Sequence, residues 1–98
     1  MKSRFSGPRP FMKAQIDEVP INKPVNYNLL DRRGGVVYTG IAKRGRVQER
    51  LKEHMPGEKD ALPGVSRFQF RQAPSIDEAR QREKRIIREE QPMFNDQK

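Results

Sequence analysis

The chain has 98 residues with no cysteine, 33% hydrophobic residues and a net charge of +8 at neutral pH. This length sets one small domain with a modest core, and the missing cysteines exclude disulfides, thiolate metal sites and a cysteine nucleophile. The charge favours a polyanionic partner, nucleic acid ahead of acidic lipid. No run is long and apolar enough for a membrane span or a secretory signal, so the expectation is a cytoplasmic (intracellular) protein with no membrane partner.

Residues 1–24 hold four prolines, five basic residues and two acidic ones. They read as a basic extended arm with neither helical nor strand period, ordered where Phe11 or Ile16 docks. The folded domain is expected over residues 25–98. Val25–Leu30 and Val36–Ile41 are rich in β-branched and aromatic residues and flank a DRRGG turn, which predicts a β-hairpin. Strand alternation puts Tyr27 and Leu29 on one face of the first strand and Val36, Tyr38 and Gly40 on one face of the second. A tyrosine from each strand can therefore project towards a common surface. Gly40, inside a strand, implies a close approach to the backbone.

Arg46–His54 has helical spacing, with Val47, Arg50, Leu51 and His54 on one stripe facing the hairpin. Met55–Val65 is a loop punctuated by proline and glycine. In Ser66–Gln72, Phe68 and Phe70 alternate with Arg67, Gln69 and Arg71, as in a half-buried strand. A long charged helix follows, opened by a Ser75/Glu78 capping box and stopped by Pro92. Ile76, Ala79, Ile86 and Ile87 form its apolar stripe, and Glu83 lies on that same stripe. A carboxylate facing a core needs a cation, a donor or a metal. The fold class expected is α+β: a small three-stranded, largely antiparallel sheet flanked by helices, in the order β-β-α-loop-β-α.

The inward-facing polar residues are Tyr27, Tyr38, Arg50, His54 and Glu83. Phosphodiester hydrolysis needs an activated water, a Lewis acid and cations for the developing charge, and this set offers a candidate for each. Glu83 suits a divalent ion, Arg50 a phosphate oxygen, and a tyrosine or His54 the water's proton. Each residue also has an ordinary explanation alone. Glu83 can pair with Arg80, His54 can answer a helix dipole, Arg50 can pair with Glu53, and the tyrosines can be core aromatics with wet hydroxyls.

Taken in order, VNY ending at Tyr27, YTG opening at Tyr38, Arg50 with His54, then Glu83 and Asn95 resemble the GIY-YIG nuclease superfamily. The closing segment EARQREKRIIREEQPMFN looks like the end of the nuclease domain in the bacterial excision-repair incision subunit. The Arg50–His54 spacing is like that of the restriction-enzyme branch. Departures are Val25 and Asn26 in the first motif, Thr39 in the second, and Ile41 where the excision-repair branch often has lysine; Lys43 stands two residues on.

The resemblance implies a metal-dependent endonuclease acting on DNA, with RNA the less expected substrate and a partner protein as a source of specificity. It makes the two tyrosines flank the attacking water, Arg50 the phosphate ligand with His54 its helix partner, and Glu83 the single ligand of Mg²⁺ or Mn²⁺. Gly40 would keep backbone clear of the substrate and Asn95 would brace the site. Arg32, Arg33, Lys43, Arg44 and Arg46 carry the charge for a nucleic-acid backbone. Two alternatives remain: a catalytically silent DNA- or RNA-binding module on the same fold, and an unrelated basic RNA-binding protein.

Overall fold

The computed structural model describes residues 4–97, so Met1–Ser3 of the basic arm lie outside the described residues. In chain order the elements are β1 (Arg9–Pro10), α1 (Lys13–Ile16), β2 (Val25–Leu30), β3 (Val36–Ala42), α2 (Val47–Lys52), β4 (Arg67–Gln72), α3 (Ile76–Glu90) and a closing 3-10 helix, Met93–Gln97. The strands form one antiparallel sheet in the order β1-β4-β2-β3. The class is α+β.

The sheet has four strands where the sequence predicts three, and the arm supplies the fourth. Arg9 and Pro10 pair with Phe68 and Arg67 of β4, and the contact is extended by Ser6 N–H donating to the Phe70 carbonyl (2.7 Å) and Phe11 N–H to the Ser66 carbonyl (3.1 Å). Proline is tolerated here because β1 is an edge strand, where a missing donor interrupts no further ladder. The Phe11 ring then meets Phe68 edge-on at 6.1 Å. Ile16 and Val19, 0% and 1% exposed, are part of the core. Much of the predicted arm is therefore integral to the fold.

The hairpin forms because its turn satisfies itself locally. The Asp31 carboxylate accepts the N–H groups of Arg33 and Gly35, both at 2.9 Å, and Gly34 takes the positive φ of 87° that side chains resist. Pairing sets Tyr27 opposite Gly40 and Leu29 opposite Tyr38. Helix α2 ends at Lys52, so His54 sits in the turn beyond it. Helix α3 starts where Ser75 Oγ accepts the Glu78 N–H (3.2 Å). It ends at Gln91, which is left-handed at φ 47°, immediately before Pro92.

Strand alternation assigns the two layers. Tyr27 meets His54, beyond α2, whereas the side chain of Asn26 next to it donates to the Ala79 carbonyl of α3 at 2.9 Å. Neighbouring strand residues point to opposite faces, so α2 and α3 cover opposite faces of the sheet. The apolar core lies on the α1–α2 side, where Val25, Tyr27, Leu29, Phe68, Val47 and Leu51 pack together. The α3 interface is more polar, with Ala79 the buried residue of that helix.

Candidate active site

Tyr27, Tyr38, Arg50 and His54 come together on the α2 face. Tyr27 and Tyr38 project from the same side because Tyr38 pairs with Leu29, two residues from Tyr27. Their ring centroids are 6.2 Å apart, and the His54 ring lies 5.6 Å from Tyr27 and 4.9 Å from Tyr38. Tyr27 and His54 are 0% exposed and Tyr38 5%, so the pair nearest solvent is Tyr38 with Arg50, whose side chain is 30% exposed.

Gly40 explains how both phenols fit. A Cβ on Gly40 would sit 2.6 Å from the Tyr27 hydroxyl oxygen, 2.7 Å from its Cζ and 2.9 Å from Tyr38 Cε2. The close approach predicted at this glycine is made by the protein's own tyrosines.

The His54 tautomer follows from its partners. Nδ1 lies 3.1 Å from the Asp60 carbonyl, a group that can only accept, so Nδ1 carries the proton. Nε2 is then the acceptor for the Tyr27 hydroxyl at 2.8 Å. Burial holds the His54 pKa below its ordinary value, with the Asp60 carbonyl opposing and the Arg50 charge reinforcing. His54 is thus buried and neutral, which removes the helix-dipole explanation for it. Burial also pushes the Tyr27 phenol well above the usual tyrosine range; Tyr38 adds to this and Arg50 opposes it.

Arg50 has company on its outer side. Its Nη1 donates to Glu53 (2.6 Å) and its Nη2 to Asp60 (3.0 Å). Burial works against its charge, but Tyr27, Glu53, Tyr38 and Asp60 outweigh this and hold the guanidinium above its ordinary value. The Arg50 hydrogen bond, with Lys59 nearby, keeps the Glu53 carboxyl below the usual range. Beside Arg50 lies a cleft of about 200 Å³ lined by Ile41, Ala42, Lys43, Arg46 and Arg50. Three cations on one small concavity suit an oxyanion such as phosphate.

The other predicted residues are distributed more widely. Arg44 lies with Lys43, Pro24 and Ile76 around a neighbouring hollow. Arg32 and Arg33 line a depression with Asp31 and Gly64 at the other end of the hairpin. Asn95 brackets Thr39, the residue between Tyr38 and Gly40: its Oδ1 accepts the Thr39 N–H at 2.9 Å and its Nδ2 donates to the Thr39 carbonyl at 3.0 Å. Glu83 is half-buried on α3, the helix covering the face opposite the phenols, and Arg80 pairs with Asp77 at 3.9 Å.

Among the described residues, no group of three or more His, Cys, Asp or Glu is gathered for a metal ion. A single carboxylate is nevertheless a normal donor set for Mg²⁺, which keeps several waters and takes the rest of its shell from a phosphate. Glu83 fits that role chemically.

Sequence reasoning missed Asp60, Asn26 and Asn28. Asp60 sits in a loop with no periodic signal. The two asparagines did leave one: polar residues at alternate positions of an otherwise apolar strand. They mark the α3 face, where Thr39 Oγ1 donates to Asn28 Oδ1 at 2.8 Å. No family model and no curated protein sequence matches the chain, and no helix among the described residues is long and apolar enough to cross a membrane.

Proposed function

We propose that the chain is a metal-dependent endonuclease of the GIY-YIG type that hydrolyses phosphodiester bonds in DNA. The observation that carries this reading is the Tyr27–His54 hydrogen bond, with the histidine tautomer set by Asp60 and a cation-lined cleft alongside. A neutral imidazole that accepts from a phenol can take the phenol's proton as that phenol takes one from water. In this scheme water enters past Tyr38, the outer phenol. Its proton passes to the Tyr27 oxygen while the Tyr27 proton passes to His54 Nε2; the hydroxide oxygen bonds to phosphorus, the bond from phosphorus to the opposite sugar oxygen breaks, and that leaving oxygen takes a proton from solvent. The raised Tyr27 pKa and lowered His54 pKa make the resting pair neutral, so both transfers belong to the chemical step.

Arg50 holds a non-bridging phosphate oxygen, with Lys43 and Arg46 neutralising the flanking backbone. Glu83 would hold Mg²⁺ or Mn²⁺, which supplies Lewis-acid polarisation of the phosphate. Asn95 and Gly40 support the arrangement by fixing β3 beneath Tyr38.

The test is nicking of supercoiled plasmid with Mg²⁺, Mn²⁺ or chelator. The unmodified protein should nick only with metal. Tyr27→Phe should be slower by about 10² to 10⁴-fold, the usual contribution of a general base, and Glu83→Gln should lose metal-dependent cleavage. Undiminished cleavage by Glu83→Gln removes that residue as the ligand. The second reading, a silent DNA- or RNA-binding module, is favoured by the complete burial of Tyr27 and by the two carboxylates already on Arg50. It predicts salt-dependent binding with no turnover in any metal.

A further inference from the structure

Helix α3 packs on β2 and β3, which leaves the same face of β4 beside it as the floor of a groove. The register puts Arg71 opposite Asn26, Gln69 opposite Asn28 and Arg67 opposite Leu30. Arg67 is exposed, and Gln69 and Arg71 are half-buried. From the helix side Arg82 reaches down to the same place: its Nη1 donates to Asn26 Oδ1 at 3.1 Å and to the Gln72 carbonyl at 3.4 Å. Arg85, one turn on, shares that flank of α3. Arginines from two elements converge over Asn26.

We propose that this groove between α3 and β4, on the face opposite the phenols, is a second binding site for nucleic-acid backbone phosphates, with Arg71, Arg82 and Arg85 as its cations. Arg82 is the organising residue. Both of its acceptors are neutral, and among the described residues it enters no ion pair, so its charge is held in place without being neutralised. The hydrogen bonds use Nη1, and no fully buried side-chain donor lacks a partner among the described residues; Nε and Nη2 are therefore not fully buried. A guanidinium pinned by one nitrogen and presenting the others is pre-organised for a bidentate phosphate contact. Burial, then Arg71 and Arg85, pull the Arg82 pKa down, and Glu78 is the opposing carboxylate. An incoming phosphate relieves that repulsion between like charges.

A purely structural Arg82, clamping α3 to the sheet, predicts no role for its neighbours. The experiment therefore keeps Arg82 and changes them. Binding of the full chain to a labelled short DNA duplex is measured by fluorescence anisotropy in chelator, across about 50 to 200 mM salt. In Arg71→Gln/Arg85→Gln the slope of log K against log salt should shrink by about 1.8, since each lost phosphate contact removes about 0.9. Arg85→Glu, on an exposed helix position, should shrink it by about 0.9 or more and serves if the double variant does not fold. Slopes equal to that of the unmodified protein overturn the second site, as does an unmodified protein that binds no duplex. Because no cleavage is required, a protein that binds through this groove yet never nicks DNA rejects the nuclease reading alone.

Discussion

Asn95 holds Thr39 by both of its main-chain groups, accepting from the N–H and donating to the carbonyl at 2.9 and 3.0 Å. One amide thus does for the free edge of β3 what a fifth strand would do. The residues on either side of Thr39 are Tyr38 and Gly40, so the bracket also fixes the backbone under the phenols. Asn95→Ala should cost about 1–3 kcal/mol by leaving two main-chain groups unpaired. Asn95→Asp keeps the acceptor but sets a second acceptor against the Thr39 carbonyl, and should cost at least as much. Urea unfolding gives the order, and faster amide exchange at Thr39 localises the effect. Equal stability of all three proteins would contradict the bracket.

Gly40→Ala tests the fit of the tyrosines directly. The added methyl meets the Tyr27 ring, which is fully buried and cannot swing out to solvent. Overpacking of this kind costs about 1–3 kcal/mol, and the loss should appear as a lower unfolding midpoint with altered near-ultraviolet dichroism from the displaced phenols. An alanine accommodated without loss would mean that Tyr27 is free to move.

These relationships were unevenly legible in the sequence. Strand alternation alone placed Tyr27 and Tyr38 together, and helical spacing alone directed Arg50 and His54 at them, because both patterns are local. The capping box and Pro92 likewise bounded α3 well. The fourth strand was hidden because β1 is two residues long and half proline, and its pairing with β4 joins residues far apart in the chain. Asp60 was hidden for a related reason: the loop contributes its carbonyl and carboxylate through a fold-dependent path that no repeat announces. Arg82 left no signal either: on a helix with alternating charges, nothing in its spacing shows that the polar strand residue Asn26 draws it down onto the sheet.

His54 is the only histidine in the chain, which makes its linkage to stability separable from other titrations. Its folded pKa is depressed by burial. Above the unfolded value of about 6.5 it is neutral in both states and its contribution is intact. As pH falls below that value the unfolded chain takes up a proton that the folded one refuses, so stability declines until the folded pKa is passed, at no more than about 1.4 kcal/mol per pH unit. Glu53, whose folded pKa is also depressed, adds its own loss at lower pH. The groups facing His54 are Tyr27, Tyr38, Arg50, Glu53 and Asp60. Thermal unfolding from pH 5 to 8 should show this decline in the unmodified protein, and His54→Gln should flatten it.

Asp60 and Glu53 occupy the guanidinium that phosphate would need, and the Asp60 carboxylate is the more exposed of the two at 46% against 14%. Asp60→Asn keeps the main-chain carbonyl that orients His54 while removing one charge from Arg50. Partly exposed pairs of this kind hold by about 0.2–1 kcal/mol, so release should tighten binding of a DNA duplex in chelator by up to about fivefold. The gain should disappear in an Arg50→Gln background, where no guanidinium remains to be released. A tightening that persists there would instead reflect the general change in net charge, and unchanged binding in both backgrounds would place the phosphate contact elsewhere than Arg50.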